Sequence, residues 1–164
     1  MTYIRTKKLQ NYVHNVDTSF TSQAITAISK SDNTALNSTE VTYTPDSSAL
    51  KVVYEIGFQT SWEPDDDRTL LSFRLEYSDD SGSSWTDIAG TQCLIGSVEP
   101  YDGDKEWHTF SFRCILNVWS GERIIRANGP AWTNTTQYTL GNSYNPNGTS
   151  GVGSCPHVSI YSIY

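Results

Sequence analysis

Eighteen carboxylates, three histidines and three cysteines are the groups in this 164-residue chain whose chemistry could carry a reaction. A structural or catalytic zinc site draws on about four Cys, His or carboxylate ligands at paired spacings. Here Cys155-Pro156-His157 supplies one close pair, and His14, His108, Cys93 and Cys114 form no second one. No metal centre is therefore expected. Asp65-Asp66-Asp67 is a run of hard oxygen donors of the kind calcium takes. It reads first as a solvated acidic loop, with calcium left open. Two carboxyl groups roughly 5–10 Å apart would suffice for glycoside hydrolysis, but the sequence singles out no pair. Nucleophile elbows of the Gly-x-Ser-x-Gly type, phosphate loops and dinucleotide fingerprints are absent. The expectation is a chain with no catalytic residues, no cofactor and no enzymatic activity.

One motif has a spacing of its own: Ser78-x-Asp80-x-Gly82-x-x-Trp85. It resembles the Asp-box hairpin of sialidase propellers, in which the Asp holds the turn and the aromatic pins it to the sheet. A propeller needs several blades of ~40–45 residues, each with its copy, and one copy stands here. Asp80, Gly82 and Trp85 are thus expected to be turn-building residues. Asp and Ser side chains bond nearby amides, and Gly accepts a positive φ without steric cost.

The motif follows a strand. Leu71, Phe73, Leu75 and Tyr77 share one parity, and Ser72, Arg74 and Glu76 share the other. Period two places the first set on a core and the second in water. Val52, Tyr54, Ile56 and Phe58 alternate with Val53, Glu55, Gly57 and Gln59 in the same way, as do His108, Phe110, Phe112 and Cys114 with Thr109, Ser111 and Arg113. Further short strands are predicted near 24–28, 39–44, 85–88, 93–95, 123–126, 137–140 and 157–164. Eight to ten strands at short spacing, with turn signals between them, predict an all-β antiparallel sandwich or barrel. Residues 1–22 read as an N-terminal arm or edge strand and 23–164 as one domain.

Charge is unevenly distributed. The net charge of −7 argues against nucleic acid as the main partner. Arg5, Lys7 and Lys8 lie in an acid-free stretch, leaving eight basic residues against eighteen acids elsewhere. From Ala127 to Tyr164 there is no charged residue at all. Such a segment desolvates cheaply, and its aromatics Trp132, Tyr138, Tyr144, Tyr161 and Tyr164 are of types enriched at interfaces. They are candidates for an oligomer interface or, by stacking on sugar rings, for glycan contact. No apolar run reaches membrane-spanning length. The odd cysteine count makes a poor disulfide framework and suggests a reducing compartment, where the sequons at Asn37, Asn134 and Asn147 have no meaning.

Three stretches together carry a family resemblance: Glu40–Pro45 with a short turn to Leu50–Phe58, the strand and hairpin Leu71–Trp85, and the closing Pro156–Ile163. Their order resembles jelly-roll domains of tailed-phage virion proteins, notably those of marine phages, on capsids and in fibres. The resemblance spans roughly residues 38–164. It implies a jelly-roll β-sandwich, often trimeric, and brings no catalytic residues. Fibre domains of this kind end much longer chains, whereas about 35 residues precede the match here. That favours a small virion component assembled in the host cytoplasm: a capsid decoration protein bound to the major capsid protein or another virion protein as a homotrimer, with Arg5, Lys7 and Lys8 as an anchoring arm. The alternative is a glycan- or receptor-binding module of a tail fibre or spike.

Overall fold

A computed structural model of the chain describes residues 10–16, 23–25, 35–36, 38–62, 70–96, 106–129, 138–140, 142–143, 151–152 and 157–164. Its elements are strands throughout: β1 (Gln10–Val16), β2 (Gln23–Ile25), β3 (Val41–Tyr43), β4 (Lys51–Trp62), β5 (Leu70–Ser78), β6 (Thr86–Asp87), β7 (Cys93–Gly96), β8 (Glu106–Asn117), β9 (Arg123–Asn128), β10 (Tyr138–Leu140), β11 (Asn142–Ser143), β12 (Gly151–Val152) and β13 (His157–Ile163). The alternating runs form β4, β5 and β8, and the short hairpin β11–β12 lies in a stretch that reads as loop in the sequence.

All pairings are antiparallel. In the larger sheet β4 bonds β8 along its whole length on one side. On its other side it bonds β13 over Lys51–Gly57 and then β10 over Thr60–Trp62. β1 lies outside β13, and β2 outside β10. The smaller sheet runs β3-β9-β5, with β6 and β7 along the far side of β5. The chain crosses from one sheet to the other at each step from β3 to β4 to β5, and again from β8 to β9 to β10. The orders β1-β13-β4-β8 and β3-β9-β5-β6 are those of a jelly-roll sandwich.

Both inner faces close on one core. The larger sheet contributes Val52, Tyr54, Ile56, Leu116, Val158 and Ile160; the smaller contributes Val41, Tyr43, Phe73, Leu75, Ile125 and Ala127. Phe73 meets Phe110 and Phe112 edge-on across the gap, with ring centroids 5.1 and 4.9 Å apart, an arrangement aromatic quadrupoles favour. Two buried tyrosine hydroxyls of the core are satisfied. Tyr54 donates to the Thr39 carbonyl at 2.8 Å, and burial pushes its hydroxyl far above the usual phenol range. Tyr43 and Ser162 share a hydrogen bond of 2.8 Å that ties β3 to β13 across the sandwich.

Leu75 is fully enclosed in this core. Leu75→Ala is expected to lower the unfolding free energy by about 2–5 kcal/mol, the range for buried leucines that leave a cavity. Urea denaturation followed by tryptophan fluorescence measures this, and a loss under about 1 kcal/mol would contradict the packing described.

Candidate functional site

The Asp80 motif forms the hairpin between β5 and β6. The Asp80 carboxylate accepts hydrogen bonds from Ser78 Oγ (2.6 Å), Ser84 N (2.9 Å) and Ser84 Oγ (2.6 Å). Two successive positive-φ residues, Ser81 (59°) and Gly82 (89°), turn the chain. Trp85 Nε1 donates to the Gly82 carbonyl at 3.1 Å. Every one of these contacts is local. The three donors hold the carboxyl at about 2, well below its ordinary value, so Asp80 stays ionised as the acceptor that shapes the turn.

Trp85 also reaches further. The Arg126 guanidinium lies over its ring, 3.5 Å from the centroid. Arg126 bonds Glu76 (2.5 Å) and Glu40 (3.2 Å), and Asn128 Nδ2 donates to the other Glu76 oxygen at 2.7 Å. Glu76, expected in water from its parity, is 3% exposed. Its face of β5 does point away from the core. Arg126 stands directly opposite it on β9, and the Trp85 indole lies on that guanidinium. Glu76 is a buried acid compensated by a cation and an amide, as a buried charge must be. Arg74 pairs with Asp87 at 2.5 Å on the same sheet, and Arg123 bonds Asp79 at 2.6 Å while lying 4.0 Å over the Tyr77 ring. The charges of the smaller sheet are thus paired across strands.

The outer face of the larger sheet differs. One row crosses four strands: Tyr12 on β1, Tyr161 on β13, Val53 on β4 and Ile115 on β8. The Tyr12 and Tyr161 ring centroids are 5.7 Å apart. The middle of the row is covered, with Val53 at 0% and Tyr161 at 8% exposure, while Tyr12 (53%) and Ile115 (60%) stand out at its ends. In the neighbouring row Glu55 and Arg113 pair at 3.0 Å. Tyr161 donates to Glu55 at 3.2 Å and accepts from Arg113 at 3.1 Å. Burial, then the Glu55 charge, pushes the Tyr161 hydroxyl up, so it remains a donor. His14, His157 and Ser159 complete the face.

A cleft of about 220 Å³ opens between the sheets beside β8, where Tyr77, Ile88, Thr91, Cys114, Leu116 and Trp119 line it. Burial pushes the Cys114 thiol up, away from thiolate reactivity. Cys93 and Cys114 are both free thiols at the margin of the core.

Of the interface candidates, Tyr161 lies in the outer-face row. Tyr164 ends the chain beyond β13, with a buried hydroxyl that has no hydrogen-bond partner among the described residues. Tyr138 lies on β10, paired with Trp62 and Ile25. Trp132, Tyr144, Arg5, Lys7, Lys8, the Asp65–Asp67 loop and Cys155 fall outside the described residues. Tyr12, His14, Glu55, Arg113 and Ile115 were not singled out by the sequence. The alternation of Glu55 and Arg113 was legible, whereas Tyr12 and His14 lay in a stretch read only as an arm or edge strand, and the assembly of all five depends on β13 returning between β1 and β4. Among the described residues no group of three or more His, Cys, Asp or Glu is placed to hold a metal ion.

No family model matches the chain, and no curated protein matches it. Among solved structures, the Eiger TNF from S. frugiperda is similar at a TM-score of 0.38 and 10% identity, over 87% of this chain and 92% of that one.

Two outcomes are expected. The Asp80 carboxyl has its folded value near 2 against an ordinary 3.8, so its stabilisation is complete above about 4 and is lost as pH falls towards 2. Melting temperatures measured from pH 5 to pH 2 should therefore fall less steeply for Asp80→Asn than for the parent chain. Glu76→Ala leaves Arg126 with Glu40 alone and the buried Asn128 amide without its acceptor, and should cost about 2–3 kcal/mol in urea unfolding. A variant as stable as the parent would show that the network is dispensable.

Proposed function

We propose that the chain is a virion structural protein of a tailed phage, a capsid decoration protein that binds the outer capsid surface as a homotrimer. It performs no catalytic step on this reading. The observation that carries it is the asymmetry of the two outer faces. The smaller sheet pairs its charges across strands, whereas the larger sheet presents the row Tyr12–Tyr161–Val53–Ile115 with an exposed apolar group at each end. Covering such a face against another copy removes apolar area from water at about 25 cal/mol per Å², while Glu55 and Arg113 stay paired with each other. The jelly roll is a frame used by viral capsid and lectin domains alike, so the frame alone does not choose between them. The stretches resembling phage virion jelly rolls weigh towards the former. The basic arm at Arg5, Lys7 and Lys8 would then fasten the oligomer to the shell protein.

A second reading, a glycan-binding tip of a fibre or spike, draws on one feature. The exposed Tyr12 ring stands beside the Glu55–Arg113 pair, an aromatic platform next to groups that bond hydroxyls.

Native mass spectrometry of the purified chain at micromolar concentration decides between them. Trimers are expected, reverting to monomers on Ile115→Arg with an unchanged melting temperature. A parent chain that stays monomeric, and binds an immobilised glycan in a manner lost on Tyr12→Ala, would transfer the case to the lectin reading.

A further inference from the structure

Two imidazoles meet on the outer face of the larger sheet. His14 on β1 and His157 on β13 are diagonal neighbours, since His14 opposes Ser159 and Val16 opposes His157. Their ring centroids are 6.0 Å apart with planes inclined at 44°, and both side chains are exposed. With metal–nitrogen bonds of about 2.0–2.1 Å, two imidazoles on one ion have centroids roughly 5–6 Å apart, and this pair stands at the upper end of that range, with the His157 ring needing to turn a nitrogen from Gly57 towards His14.

Each ring is also held. His14 Nδ1 lies 2.8 Å from Ser159 Oγ, which leaves Nε2 as its outward ligand atom. The Tyr12 ring stacks on His14, 6.2 Å between centroids and 12° between planes. Tyr12 OH shares the same serine hydroxyl at 3.1 Å. His157 lies across β4 above Gly57, where a Cβ would collide with Cε1 and Nε2 of the ring. The missing side chain at Gly57 is what seats the imidazole on the sheet. Holding a ligand ring by a hydrogen bond at its other nitrogen is how protein metal sites fix orientation.

We propose that His14 and His157 form a surface site for a borderline divalent ion of the zinc class: Zn²⁺, Ni²⁺ or Cu²⁺. Imidazole nitrogen suits these ions and not Mg²⁺ or Ca²⁺, which take oxygen. Both ligands come from one chain, so the site does not depend on the assembly proposed above. On a tetrahedral zinc two coordination positions remain, filled by water or by a donor atom of whatever docks on this face.

The test is calorimetric titration of the untagged full chain with ZnCl2 and, separately, NiCl2, with MgCl2 as the hard-ion control. One ion per chain is expected for zinc and nickel and none for magnesium. His14→Ala and His157→Ala should each weaken binding more than about tenfold, by loss of one of two ligands. Gly57→Ala keeps both ligands but displaces the His157 ring, and should weaken binding by about threefold or more. His108→Ala, on the far strand β8, should leave the affinity unchanged. Circular dichroism of each variant confirms the fold. No saturable binding up to about 1 mM zinc or nickel, parent affinity in either His14→Ala or His157→Ala, or loss on His108→Ala would each overturn the assignment.

Discussion

Strand β4 is the constraint on which the rest of the molecule depends. Its backbone groups are spent on both sides: β8 along all twelve residues, and β13 and then β10 along the other edge. One side-chain set, Val52, Tyr54 and Ile56, is committed to the core, and the other, Val53, Glu55 and Gly57, to the outer face. A register slip of one residue would exchange these sets. It would put Glu55 under Phe73 and strip the outer face of its Glu55–Arg113 pair and of its seat for His157. The inner fit and the outer surface are therefore specified together.

Much of this was legible in the sequence because period two is a local property. Leu71–Tyr77, Val52–Phe58 and Phe110–Cys114 could be read as strands without any partner in sight, and the inward sets are the ones that fill the core. The Asp80 turn was legible for the same reason, since all of its bonds close within a few residues. Parity states which way a side chain points but not what will lie on it. Glu76 sits on the outward parity and is still buried, because Arg126 and Asn128 arrive from 50 and 52 residues away. The pairing of Arg113 with Tyr161 and of His14 with Ser159 lies equally beyond a local window.

The two outer faces show how one architecture separates two tasks. On the smaller sheet a cation–π contact links a turn to an ion pair, so the Trp85 hairpin braces the sheet that carries it. The larger sheet sets neutral rings and a serine hydroxyl around the Glu55–Arg113 pair, so its rows of apolar and ionised groups lie side by side. Sequence composition pointed to residues 127–164 as the charge-poor segment. The structure places two strands of that segment, β10 and β13, in the larger sheet, and the outer-face row joins β13 to residues of β1, β4 and β8.

The position of β13 also bears on how the molecule is made. Synthesis proceeds from β1 to β13, yet β13 lies between β1 and β4, and its contact with His14 closes a loop of 145 residues. Until that segment leaves the ribosome, β1 and the Lys51–Gly57 edge of β4 lack the strand that joins them. The larger sheet can close only after β13 has been made, through contacts of high sequence separation that make folding slow. The nascent chain must keep two unpaired strand edges from finding the wrong partner in the meantime.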